Sequence, residues 1–402
     1  MNGLPNRILF VKLHPLKKTI MMKKLFLFIL IIAGLFPADA QETETLYLSG
    51  KDKDHTVQWD FFCTHGRNSG QWSKIGVPSN WELQGFGSYL YGNINLTANE
   101  KGLYKFEFKV PSGWGKKKVF IVFEGSMTDT EVKINGKLAG PVHQGAFYRF
   151  SYDITELLSF DKNNLLEVTV SKESSNESVN RAERISDYWV FGGIFRPVYL
   201  EAVPQQFIDR VAVNAKADGS FEMDVFTDGK GKGKSVIAVV QTLDGKQIGK
   251  LLTSAIDGSG KTKLKGTFSD PALWNPEFPN LYKVLVSINN RKKIIHQITQ
   301  KFGFRTVEVK PEEGIYVNGQ KIMFRGVCRH TFWPSSGRTS SRQLAINDVN
   351  LMKDMNMNAV RMSHYPPDNY FLDVCDSLGM FVLDEIAGLQ KYYDTPTAKR
   401  LV

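Results

Sequence analysis

Residues 358–385 read NAVRMSHYPPDNYFLDVCDSLGMFVLDE, and the fold of the C-terminal part of the chain turns on this stretch. Asn358 to Met362 has the apolar character of a short buried strand. Pro366 and Pro367 sit where a helix begins, Tyr370, Val374 and Leu378 recur every four residues with Phe371 and Cys375 beside them, and Gly379 ends the run. GMFVLDE then returns as a second buried strand. Strand, helix, strand in this order gives a parallel pair joined by a right-handed crossover, the opening of either a doubly wound sheet or a barrel.

Working back from this unit, SRQLAINDVNLMKDMNMN places Ala345, Val349, Met352 and Met355 on one helical face. Before it, YVNGQKIMFRGVCRH carries Asn318-Gly319, a hairpin turn, followed by KIMFRGV as the first strand of the parallel set. Three strands and two helices would leave a parallel sheet with an open edge, which proteins rarely expose.

The chain ahead of this point is expected to be all-β. YKFEFKV alternates Tyr104, Phe106, Phe108 and Val110 on one face, KVFIVFEG reads as a strand buried on both faces, EVKINGKLAG turns at Asn135-Gly136, and NLLEVTV adds another strand. No long segment of helical period interrupts them, which predicts an antiparallel sandwich over 41–203. After EAVPQQ, residues 204–307 have the length and strand spacing of an immunoglobulin-like sandwich, with FEMDVF, the pair SVIAVVQTL and KQIGKLL around Asp244-Gly245, and LYKVLVSIN as strands. Residues 308–402 form the third domain.

Composition fits this picture. The 402 residues are 42% hydrophobic and 12% aromatic, as expected of a globular chain with several cores. MMKKLFLFILIIAGLFPADA, residues 21–40, has the basic start, apolar run and small-residue end of a secretory signal peptide, so that initiation is expected at Met21 or Met22, with residues 1–20 ahead of the start. Six of the 51 basic and one of the 41 acidic residues lie in 1–40, which reduces the formal +10 to +5 for the remainder. The lysines left are scattered through loops, giving no basic stripe for nucleic acid. Three cysteines cannot all pair; Cys328 and Cys375, in apolar strand and helix contexts, are read as buried thiols beside Cys63. No phosphate-cradling loop, Gly-x-Ser-x-Gly elbow, His-Glu-x-x-His or paired-Cys metal spacing occurs, so neither a cofactor nor a metal is expected.

In a parallel sheet of this kind, functional side chains gather at the C-terminal strand ends. Here these are Arg329 and His330, then Arg361, Ser363, His364 and Tyr365, then Asp384 and Glu385. Singly each has a structural explanation, His330 as a strand cap and Arg361 as a buried ion-pair partner; together they point to a site. In the first sandwich, VPSNWELQGFGSYLYGNINL mixes Trp81, Phe86, Tyr89 and Tyr91 with Asn80 and Asn93, a combination suited to sugar rings, although core packing is the better explanation of the aromatics. Asp187, in SDYWVFGGIFRPVYL, has no packing reason to be charged.

NWELQGFGSYLYGN, DYWVFGGIFRPVYL, FGFRTVEV, YVNGQKIMFRGVCRH and the opening stretch together resemble glycoside hydrolase family 2, the family of β-galactosidases, β-glucuronidases and β-mannosidases. The resemblance covers nearly all of the chain after residue 40. It implies a jelly-roll sugar-binding domain, an immunoglobulin-like β-sandwich and the first three strands of a (β/α)8 TIM barrel. It also implies a retaining enzyme that releases terminal β-linked sugars, β-galactosidase-like, with a β-glycoside or oligosaccharide as partner and a homo-oligomer left open; the leader-like segment and the scattered charge give the further expectations of a secreted or periplasmic location, no stable membrane anchor and no nucleic acid.

By the same resemblance His330, Arg361 and His364 line or orient the sugar pocket, and Asn93 and Asp187 reach over the barrel mouth. Cys328 stands where the family commonly has Asn, HTFWPSSG replaces a histidine-rich continuation, and DEIAGLQKYY departs from the usual β-galactosidase ending. Retaining glycosidases use two carboxyl groups about 5–5.5 Å apart. The family's acid/base and nucleophile glutamates end the fourth and seventh barrel strands, so both are expected beyond Val402. Asn99-Glu100 and Asn176-Glu177 have the right letters in the wrong domain, and Glu385 matches a supporting position. Alone, the chain is expected to be inactive; the alternatives are a noncatalytic carbohydrate-binding fragment and one half of a split enzyme.

Overall fold

The computed structural model describes residues 42–91, 99–185, 189–228, 234–291, 293–388 and 391–401. The leader-like segment, Asn93 and Asp187 lie outside them. The first domain packs a four-stranded sheet, in the order Glu44–Tyr47, Val198–Val203, Lys118–Phe123 and Phe150–Asp153, on a six-stranded sheet centred on Lys101–Phe108 and Asn164–Ser171. All pairings are antiparallel. Asn164–Ser171 alternates buried and half-buried residues along its whole length, the signature of a strand with one face on a core. That core is aromatic, with Trp59, Phe61, Trp81 and Tyr104 at 2% exposure or less. The Asn135-Gly136 turn joins Asp129–Ile134 to Lys137–Leu138 with both residues at positive φ, 52° and 78°, the backbone that two-residue hairpins need.

The second sandwich faces a three-stranded sheet, Ile208–Ala215, Ser220–Thr227 and Lys261–Thr267, with a four-stranded one, Leu252–Ala255, Ser235–Thr242, Tyr282–Asn290 and Lys293–Phe302. The hairpin partner expected at KQIGKLL falls further along: Ser235–Ala238 pairs with Leu252–Ala255. The run from Gln247 to Leu251 contributes a single bridge, Gln241 to Gln247, because the turn at Gly245 opens into a wider loop.

After the hairpin Gly314–Val317/Gln320–Ile322, the expected strand KIMFRGV divides. Gln320–Ile322 completes the antiparallel hairpin, Met323–Arg325 leave it, and Gly326–Arg329 opens a parallel sheet with Ala359–Met362 and Phe381–Leu383. The helices Arg342–Asp354 and Asn369–Leu378 cover one face of that sheet through Ala345, Val349, Met352, Phe371, Val374 and Cys375 against Val360 and Met362. Met355 lies past the helix end and is exposed. In the second helix the buried stripe is Phe371, Val374 and Cys375, with Tyr370 and Leu378 half-buried, so the packed face is turned one residue from the expected one. Asp368 occupies the N-cap position and Gly379, at φ 80°, ends the helix in the left-handed region. On the uncovered face Cys328, Arg361 and Leu383 lie side by side in register. Cys328 is therefore exposed, which corrects the buried thiol expected from its apolar neighbours; Cys63 and Cys375 are buried, and all three are free.

Candidate functional site

The C-terminal ends of the three parallel strands converge on Arg361. Its Nε donates to Glu385 Oε1 at 2.6 Å, and its Nη1 to Cys328 Sγ and Ser363 Oγ, each at 3.3 Å. Nη2 stands 3.1 Å from His364 Nδ1, which is itself 3.2 Å from Glu385 Oε2. That nitrogen therefore has two roles set by the tautomer: bare, it accepts from Arg361, and carrying the ring proton it donates to Glu385. Hydrogen bonds from Arg361 and Ser363 hold the Cys328 thiol below its ordinary pKa, since both stabilise the thiolate.

His330 stands edge-on to His364, ring centroids 5.4 Å apart. Two imidazoles, a guanidinium, a carboxylate, a hydroxyl and a thiol thus share one strand-end rim, a set of donors and acceptors suited to a polyhydroxylated ligand. Arg329 does not join them. Its guanidinium binds Asp348 at 2.8 Å and lies over the Phe371 ring, in the helix layer.

His330 is backed by a buried relay that reaches into the first domain. Its Nδ1 lies 3.4 Å from Tyr365 Oη, and Tyr365 also donates to Thr331 O. Arg338 donates to the Tyr365 hydroxyl while its guanidinium lies over the same ring. The Arg338 backbone N–H donates to Asn80 Oδ1 at 2.7 Å, and Asn80 Nδ2 donates to Gly192 O. Asn80, Arg338 and Tyr365 are all 3% exposed or less. Gly337 must be glycine: it has φ 61°, and a Cβ there would stand 2.6 Å from Asn80 Oδ1. Sequence reading noticed Asn80 as one polar group among aromatics and missed Arg338, which sits in the aperiodic polar run SSGRTSS; nothing in its neighbourhood distinguishes it from a solvated loop arginine.

The segments flanking Asn93 and Asp187 meet: Leu90–Tyr91 pairs antiparallel with Trp189–Val190. Beneath them Lys172 is fully buried between Glu82 at 2.7 Å and Glu100 at 3.1 Å. Burial pushes the Glu82 carboxyl up to about 7 against the pull of the Lys172 ammonium. Both Glu82 oxygens accept from Gly192 N–H, and Glu100 accepts from the Trp81 indole. Glu100 is thus accounted for structurally. Asn176 is equally accounted for, as the N-cap of the helix Glu177–Glu183. Phe191 continues from the ribbon and stacks on Phe332, two residues after His330.

A jelly-roll sandwich seated beside a parallel strand–helix unit, with a polar rim at the strand ends, defines a multidomain protein built around the mouth of a βα barrel. Three family models then match along the chain: glycosyl hydrolases family 2, sugar binding domain, over 67–204; glycosyl hydrolases family 2 over 205–305; and glycosyl hydrolases family 2, TIM barrel domain, over 307–394. The chain belongs to glycosyl hydrolases family 2. It is 32% identical over 310 residues to a β-galactosidase of Thermoanaerobacter pseudethanolicus, covering 72% of this chain and 40% of that protein. The crystal structure of a β-glycosidase from Bacteroides vulgatus superposes with TM-score 0.70 at 26% identity, over 85% of this chain and 44% of the other. A Bacteroides uniformis β-glucuronidase gives 0.71 at 25%, over 88% and 43%. The chain therefore spans less than half the length of each of these proteins.

Proposed function

We propose that the chain carries the sugar-recognising part of a retaining exo-β-glycosidase that acts on terminal β-linked sugars, with a β-galactoside as first candidate. The observation that carries this reading is the convergence of Arg361, Glu385, His364 and His330 at the ends of parallel strands, in a chain of this family. In this reading His330 and His364 bind sugar hydroxyls, and Arg361 holds Glu385 and presents its one remaining Nη2–H to the reacting centre. Asn93 and Asp187, outside the described residues, are further sugar ligands in this reading on the strength of the family resemblance alone. The two catalytic carboxyl groups, about 5–5.5 Å apart in a retaining mechanism, come from residues outside 1–402. The leader-like segment supports export to the periplasm or beyond.

The test is hydrolysis of 4-nitrophenyl β-galactoside and β-glucuronide by the product of the complete gene and by the 402-residue chain. Turnover by the former alone, with galactoside preferred, is the expected outcome. Turnover by the 402-residue chain would overturn the assignment of the catalytic pair, and no turnover of any β-glycoside by the complete product would overturn the hydrolase reading. Arg361→Lys, which keeps the charge but loses the planar fork, is expected to lower kcat/KM of the complete enzyme about 100-fold or more.

A further inference from the structure

A second cleft, of about 330 Å³, opens on the far side of the Tyr365 wall, between the four-stranded sheet of the first domain and the PPDNY turn at residues 366–370. Phe147 forms part of its lining and stacks face to face on Tyr365, centroids 4.3 Å apart, so the cleft and the His330 rim stand back to back. The volume lies at the small end of the usual range for ligand sites, about 300–1,000 Å³.

Its mouth carries two tyrosines. Tyr47, on the edge strand, is 41% exposed and faces Tyr199 across the sheet at 5.3 Å. A cross-strand tyrosine pair alone would be ordinary sheet stabilisation. What surrounds this one is a set of polar groups already fixed in place. Glu124 accepts from Tyr199 Oη at 2.5 Å and from Asn369 Nδ2 at 3.3 Å, and pairs with Arg149 Nε at 3.4 Å. Arg149 is held again by Glu201 at 2.9 Å. The Lys51 ammonium lies over the Tyr47 ring, where an incoming ring could displace it.

The chemistry selects among ligands. An apolar partner would strand the Glu124 and Arg149 charges, whose desolvation is costly, and a phosphate would meet the Glu124 carboxylate. A sugar ring fits both halves: its C–H face stacks on tyrosine, and its hydroxyls both donate and accept, matching carboxylate, amide and ammonium. We propose that this cleft is a second carbohydrate-binding site, taking one or two units of a glycan apart from the strand-end rim. The proposal rests on the carbohydrate reading above and not on hydrolysis.

The experiment is calorimetric and saturation-transfer NMR titration of the 402-residue chain with cellotetraose, β-1,4-galactotetraose and tetragalacturonate, in wild type, Tyr47→Ala, Tyr47→Phe and His364→Ala. At least one tetramer is expected to bind, with affinity about tenfold weaker in Tyr47→Ala and retained in Tyr47→Phe, while His364→Ala removes only rim binding and leaves the Tyr47-dependent saturation-transfer signal in place. The tetramer that binds best identifies the source as neutral or uronic glycan. Two results overturn the second site: no tetramer binding at millimolar concentration, or binding lost in His364→Ala and intact in Tyr47→Ala. The latter leaves the carbohydrate reading standing. Binding through Tyr47 in a protein whose complete form hydrolyses no glycoside would sink the hydrolase reading alone.

Discussion

Arg361 satisfies four partners, Glu385, Cys328, Ser363 and His364, with one guanidinium. Cys328, exposed and held toward the thiolate by Arg361 and Ser363, is the reactive thiol of the three. Burial pushes Cys63 up and Cys375 up to about 12. Iodoacetamide at neutral pH is therefore expected to alkylate Cys328 first, at a rate reduced by Arg361→Met, as read by peptide mass spectrometry. Equal labelling of all three would contradict the geometry. Lys172 makes the opposite case, a cation whose task is internal. Replacing it by Met leaves Glu82 and Glu100 buried without their counter-charge, and the expected loss is about 3–5 kcal/mol in urea unfolding. An unchanged midpoint would mean that the carboxylates take up protons without cost.

At the scale of elements, the strands and helices were legible wherever hydrophobic period and turn chemistry agreed. Asn135-Gly136 and Asn318-Gly319 both turn at positive φ between paired strands, since asparagine and glycine are the residues that tolerate that backbone. Legibility failed where a feature is decided by distant parts of the chain. Apolar neighbours suggest a buried Cys328, but its side chain falls on the sheet face that no helix among the described residues covers. The Asn80–Arg338 relay spans 258 residues, and no local period records it. One element carries a pH response. His296, in the strand Lys293–Phe302, accepts from Ile208 N–H through Nδ1 and meets Thr43 Oγ1 through Nε2, which fixes it as the neutral ring. Burial lowers it from 6.5 to about 4, helped by Lys117. Between these values the unfolded chain binds the extra proton, so this contribution is intact above about 6.5 and is lost as pH falls toward 4. The His296 contribution is expected to fall by about 2 kcal/mol from pH 7 to pH 5, read as the difference in pH dependence between wild type and His296→Gln, because the raised Glu82 carboxyl acts in the opposite direction over the same window. His143, lowered to about 4 chiefly by burial, adds in the same direction.

Across the whole molecule, the first domain and the strand–helix unit are joined by buried polar groups. Arg196 donates to Phe147 O and Pro366 O and pairs with Asp368 at 3.0 Å, both side chains 8% exposed or less. Glu183 accepts from Ala146 N–H and Tyr393 Oη, and Asp394 N–H donates to Ser178 Oγ. Wild-type unfolding is therefore expected to be one transition for these two parts. Arg196→Met, which strands the Asp368 carboxylate, should expose the 326–401 region to limited proteolysis first, at a cost of about 3–5 kcal/mol; simultaneous digestion of both parts would argue against the coupling. The relay through Asn80 has a further consequence for how such chains exchange parts. A crossover that grafts a foreign jelly roll onto this barrel segment would separate Asn80 from Gly337 and Arg338, and the chimera would inherit a histidine without its support. Viable hybrids should then be those that bring residue 80 and the 337–338 pair from the same parent, whichever parent supplies everything between.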